Sequence, residues 1–122
     1  MDFLDRMNDT VNYIESNLNN SISYEKNARI SCCSIHPFGR IFSYIVGMSL
    51  SDYIRRRRLT LAAFDLQSSN AKVIDIAFKY AYESPNSFTR AFVELHGITP
   101  KQTRCKGVHL KSFPKLSFQI TI

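Results

Sequence analysis

Two arginines set fifty residues apart, Arg40 and Arg90, are the side chains best placed to do chemistry in this sequence. Each sits midway between two phenylalanines, Phe38 and Phe42 in one case, Phe88 and Phe92 in the other. Phenylalanines four apart share one face of a helix, and a residue between them points away from that face. A guanidinium held outward on a helix offers a rigid fork of donors that fits the O6/N7 edge of guanine in a major groove. Catalysis finds no comparable support. The carboxylates are scattered over surface positions, no glycine loop could cradle phosphate, and no Ser/His/Asp set is suggested by spacing.

The elements that must hold these arginines are written twice as well. Phe38, Arg40, Phe42, Ile45, Gly47 and Ser49 recur as Phe88, Arg90, Phe92, Leu95, Gly97 and Thr99, each at an offset of fifty. Steps of four and three place Phe, Phe and Ile or Leu on one buried stripe, and the glycine closes each helix. Two such helices, each with an outward arginine in a basic chain, read as a pair of DNA-recognition helices. Two copies fall short of the roughly three that a solenoid of helical repeats requires.

Charge supports a polyanionic partner. The formal net charge is +6, but the first 22 residues carry −3 and residues 23–106 carry +7. A basic surface gains affinity for nucleic acid through counterion release. With 122 residues, no Trp and few Gly or Pro, the chain forms one domain or slightly more, and disorder, collagen and coiled coil are disfavoured. Cys32, Cys33 and Cys105 make no zinc pattern, so neither metal nor cofactor is expected. The odd thiol count without a signal peptide points to the cytoplasm, with the cysteines as buried or half-buried fillers. No apolar run approaches the roughly 20 residues needed to span a bilayer.

Periodicity predicts seven helices and an all-α fold. Leu4, Met7, Val11, Ile14 and Leu18 define an amphipathic helix over 3–18. Ser23 caps a short helix from Tyr24 to about Ser31, and Ser34 caps the helix that Gly47 stops. Ser49, with Asp52 three residues on, opens the longest helix, from Leu50 to about Gln67. Its expected core positions are Tyr53, Ile54, Leu61, Phe64 and Leu66. Arg55–Arg58 spray over more than a full turn and form mostly a solvated or salt-bridged face, with one or two near phosphates. Val73, Ile74, Ala77 and Phe78 give a short helix, Ser84 and Pro85 open the second arginine helix, and Thr99-Pro100 opens a last short one. Beyond Gly107, Leu116, Phe118, Ile120 and Ile122 alternate with polar residues at the period of a strand. A strand there has no partner within the helical domain, so the expectation is the linker and first strand of a second, truncated domain over 107–122.

The segment Gly47-Met-Ser-Leu-Ser-Asp-Tyr-Ile-Arg-Arg-Arg-Arg-Leu-Thr-Leu-Ala-Ala resembles the linker helix of AraC/XylS transcriptional regulators. Ile74-Asp-Ile-Ala-Phe-Lys-Tyr-Ala-Tyr-Glu-Ser-Pro-Asn-Ser-Phe-Thr-Arg-Ala-Phe, followed by His96-Gly-Ile-Thr-Pro, resembles the signature of that family. The resemblance spans residues 3–106. It implies an AraC-type DNA-binding domain over 1–106, with one helix-turn-helix at about 23–46, a connector helix at about 50–67 and a second helix-turn-helix at about 72–96. It further implies a monomer on double-stranded promoter DNA, two recognition helices in successive major-groove segments, and recruitment of RNA polymerase. Such segments repeat about every 34 Å, and a connector of this length, at ~1.5 Å per residue, has roughly that reach. Phe113-Pro-Lys-Leu-Ser-Phe resembles the junction into a GyrI-like effector-binding domain, which implies a small-molecule effector acting through that C-terminal domain.

Carried onto this sequence, the family's contact positions are Pro85, Asn86, Ser87, Thr89 and Arg90 in the second unit and His36, Gly39 and Arg40 in the first. Asn86 could pair with adenine as Arg90 does with guanine. Ser34, Ser84, Lys101 and Arg104 would contact phosphates. The first unit departs from the family. Gly39 replaces a long polar residue, Pro37 lacks a donor, Asn27 stands at a core position, and Cys32-Cys33 occupies the turn. Ala81 replaces a turn glycine in the second unit, which strains the backbone if its φ is positive. The expected function is sequence-specific DNA binding by a ligand-responsive activator. The alternatives are a weakly specific architectural binder and a helical ligand-sensing or protein-interaction module that has lost DNA readout.

Overall fold

The computed structural model describes residues 3–20, 35–105 and 110–118. Six helices lie among them: α1 (Phe3–Ser16), α2 (Ile35–Val46), α3 (Leu50–Ser68), α4 (Val73–Lys79), α5 (Pro85–His96) and α6 (Pro100–Thr103). The count is six among the described residues and not the seven expected; the expected helix from Tyr24 to Ser31 lies outside them. No described residue belongs to a strand. The chain divides into two compact units, one of residues 1–54 with 114–122, the other of residues 55–113. Helix α3 contributes to both.

In the first unit, Met7, Val11 and Ile14 of α1 and Leu18 just beyond it are buried, as their three- and four-residue spacing requires. They share burial with Phe42 of α2 and with Leu50, Tyr53 and Ile54 of α3. Phe42 and Tyr53 pack as tilted rings 5.7 Å apart. Ser49 caps α3, accepting from the Asp52 amide at 3.1 Å. The tail is held here without a ladder. The Asn8 side chain donates to the Phe118 carbonyl at 2.9 Å and accepts from its amide at 2.8 Å, as a neighbouring strand would. Tyr53 Oη accepts from the Leu116 amide at 3.2 Å. The alternation of Leu116 and Phe118 is therefore accommodated in an extended segment; residues 119–122 lie outside the description.

The second unit is built on the inner face of α3. Leu59, Ala62, Ala63 and Leu66 meet Ile76 and Ala77 of α4, Tyr80, and Phe88 and Phe92 of α5 in one core. Ala62, Ala63 and Ala77 are buried in this core beside the larger side chains. Asp65 ties α4 to α3, accepting from Tyr80 Oη and Lys79 Nζ at 2.7 Å each. Burial, reinforced by that hydrogen bond, pushes the Tyr80 phenol well above its ordinary pKa. At the end of α4 the amides of Ala81 and Tyr82 donate to the carbonyls of Phe78 and Ala77, a Schellman closure. Ala81 has φ 66° there, so the residue that replaces glycine does adopt the left-handed conformation.

Four apolar positions differ from expectation. Phe64 is 68 % exposed, and Ile74 and Phe78 are also exposed. Helix α3 buries Ala63 and Leu66 in place of Phe64, and α4 buries only Ile76 and Ala77. In the first copy of the doubled pattern, Ile45 is 48 % exposed, whereas its counterpart Leu95 packs on the core.

Candidate nucleic-acid interface

Helix α5 is defined at both ends by the residues that the repeat singles out. Ser84 is the N-cap, accepting from the Ser87 amide at 3.1 Å, and Pro85 occupies the first turn. Gly97 closes the helix at φ 79° with its amide on the Val93 carbonyl at 2.8 Å. Gly47 after α2 has φ 82° and donates to Ser43 at 2.9 Å, so the two copies end alike. Thr99 and Gln102 then form a full capping box for α6.

Between those ends α5 is sharply two-faced. Phe88 and Phe92 are fully buried, with ring centroids 5.6 Å apart, and Tyr82 packs edge-on against Phe88. Asn86 and Arg90 are exposed one turn apart, with Thr89 half-buried beside them. Val93, one turn further along that strip, is also exposed; its apolar type hid it from a reading that looked for polar readers. Pro85 and Ser87 are half-buried. The Ser87 hydroxyl donates to the Ser84 carbonyl at 2.9 Å, and the two hydroxyls stand 3.1 Å apart. Both serines thus spend hydrogen bonds on the helix start.

The C-terminal edge of α5 is anchored by His96. Its Nε2 lies 3.1 Å from the Leu59 carbonyl, which makes it the protonated nitrogen, and burial lowers the pKa of the imidazole. The ring also packs 4.5 Å from Phe92. Among the described residues Nδ1 has no hydrogen-bond partner. His96 was not singled out as a site residue, and its role is to lock α5 to α3.

The remaining expected contacts fall into different settings. On α2, Arg40 is exposed and Gly39 half-buried, with open space around the position a side chain would fill. His36 lies in the first turn of α2, its side chain outside the described residues, and Ser34 lies outside them altogether. Lys101 is exposed. Arg104 Nη2 donates to the Ala71 carbonyl, and Gln67 donates to the Thr103 carbonyl at 3.3 Å, so the last helix is braced against the end of α3. Cys105 is exposed, contrary to the expected filler role, and Cys32 and Cys33 lie outside the described residues.

The arginine run is largely internal to its unit. Arg55 pairs with Glu94 at 3.6 Å, Arg56 stacks over the Phe113 ring at 4.9 Å, and Arg57 donates to the Phe113 carbonyl at 2.6 Å. The Phe113 amide in turn donates to Thr60 at 3.1 Å. Among the described residues no helix is long and apolar enough to cross a membrane.

The chain matches the family model described as a helix-turn-helix domain over residues 27–106. It is 45 % identical over 92 residues to the HTH-type transcriptional activator AarP of Providencia stuartii, covering 75 % of this chain and 68 % of that protein. It is 44 % identical over 91 residues to the HTH-type transcriptional regulator YbfP of Bacillus subtilis, covering 75 % of this chain but only 31 % of that longer protein. Its fold matches an AraC-type regulator structure from Chromobacterium violaceum with a TM-score of 0.76, at 23 % identity over 82 % of this chain and 89 % of the other. The capped, two-faced helices and these relatives lead to one conclusion: the chain belongs to the AraC-type helix-turn-helix family of transcriptional regulators and is its DNA-binding module.

Proposed function

We propose that this domain reads promoter DNA unequally through its two recognition helices, with α5 supplying most of the base discrimination and α2 the lesser part. The observation that carries the reading is α5 itself. Phe88 and Phe92 are fully buried and seat the helix on its core, and Asn86, Thr89 and Arg90 stand away from those rings. Arg90 would take guanine and Asn86 adenine, each such bidentate contact discriminating by about 1–3 kcal/mol. On α2 the described base-contact candidates are the exposed Arg40 and Gly39, which has no side chain to offer; His36 is carried there from the family's contact positions. The two helices would enter successive major-groove segments of one duplex, with the chain acting as a monomer.

Lys101 would hold phosphates. The Ser84 hydroxyl accepts the cap bond and keeps its proton to donate, so Ser84 and the free backbone amides at the start of α5 would hold another phosphate. In the whole regulator the reading extends to RNA polymerase recruitment in the cytoplasm and to a small-molecule effector sensed by a domain following residue 107. The similarity to AarP, an activator, supports the role in activating transcription; the effector domain rests on the resemblance of residues 113–118 alone.

The test is the ratio of affinities for a selected duplex and a scrambled one, measured across salt concentrations. A specific ratio of ~10³ or more is expected. Salt-dependent binding with equal affinity for both duplexes would make the domain an architectural binder, and no binding to either would leave only a protein-interaction role.

A further inference from the structure

Helix α2 carries one exposed residue that the doubled pattern leaves unexplained. Tyr44 lies one turn beyond Arg40 on the same strip and is 91 % exposed. Its counterpart fifty residues on is Glu94, which is drawn into the ion pair with Arg55. The outward strip of α5 therefore ends in a carboxylate directed to its own unit, whereas that of α2 ends in a neutral phenol. A carboxylate at that place repels a phosphate; a phenol hydroxyl can donate to one.

Spacing and charge favour a duplex as what Tyr44 meets. Arg40 and Tyr44 are one step of four apart, and from the first turn of α2 at residue 36 to residue 44 the helix rises about 12 Å at ~1.5 Å per residue. The major groove is about 12 Å wide. With the first turns of α2 at the base edges, the tenth residue of the helix stands by the groove wall. Helix α2 holds no acidic residue that would oppose this approach.

We propose that Tyr44 is a further DNA-contacting residue whose hydroxyl donates to a backbone phosphate at the wall of the groove that α2 enters. The inference rests on the reading of α2 as a recognition helix. It assigns Tyr44 to holding register, without a choice of base.

The test compares the wild-type chain with Tyr44→Phe and Tyr44→Ala on a selected duplex, an unrelated duplex, and selected duplexes bearing a single neutral methylphosphonate at successive flanking positions. Tyr44→Phe is expected to bind ~10-fold more weakly, the low end for a hydrogen bond to a charged group. The factor is the same on both unmodified duplexes, with the salt slope unchanged, because no cation is removed. At one methylphosphonate position the wild type and Tyr44→Phe bind alike. If the wild type is selective and Tyr44→Phe matches it on unmodified DNA, this inference is overturned while the parent reading stands. If the wild type shows no preference for any duplex, the parent reading falls and this one with it.

Discussion

At the scale of single residues, the two outward arginines share a position in the repeat but not a neighbourhood. Arg90 stands with Asn86 and Thr89 on a helix anchored by the buried Phe88 and Phe92, while Arg40 stands near Gly39. Arg90→Ala is expected to weaken binding to a cognate site by ~1–3 kcal/mol and to relax one base position. Arg40→Ala should cost less in a titration against the same duplex. A larger loss for Arg40→Ala would reverse the ranking of the two units. A different residue sets the response to acid. His96 is neutral in the folded chain, its pKa depressed by burial, whereas in the unfolded chain it takes up a proton below its ordinary value of 6.5. The unfolded state then binds more protons, so the stabilising contribution is complete above about pH 6.5 and declines as pH falls below it. Urea unfolding of the wild type should show that decline, and His96→Gln should show a smaller one. Equal slopes in the two proteins would remove His96 from this role.

At the scale of elements, the features legible in the sequence are those fixed locally. Ser84, Pro85 and Gly97 specify the ends of α5 by themselves, because caps and left-handed closures depend on a few adjacent residues. The family resemblance marks Ala81 as standing where a turn glycine is usual and leaves its φ open; the φ is positive. Since a left-handed residue with a Cβ is strained by roughly 1–2 kcal/mol, Ala81→Gly should stabilise the domain by about 1 kcal/mol after the entropic cost of glycine in the unfolded chain. A raised urea midpoint would show it; a lowered one would mean that the methyl group packs usefully. Less legible was which of several apolar residues a helix buries. Phe64, Ile74, Phe78 and Ile45 all fit a helical stripe, yet the interior takes Ala63 beside the expected Leu66, and Ile76 beside the expected Ala77, because a stripe is wider than the face that meets the core. The arginine run was legible as a solvated or salt-bridged face, which the Arg55–Glu94 pair fits, but its partners were not. Its partners Glu94 and Phe113 come from distant sequence positions, which no local spacing reveals.

At the scale of the whole molecule, the two compact units are variations on one plan, a phenylalanine-backed helix closed by glycine, joined through the continuous helix α3. That plan could be read from the fifty-residue offset. The conformation of the tail could not, because the Asn8 side chain that supplies the pairing of a missing strand lies 110 residues away. The central claim is that these similar helices divide the reading of DNA unequally. The most direct measurement is selection of bound sites from random duplexes with the wild type, Arg90→Ala and Arg40→Ala in parallel. The account predicts a wild-type motif in which Arg90→Ala erases a strongly preferred base and Arg40→Ala softens a weaker one. Motifs from both variants that match the wild type would contradict it.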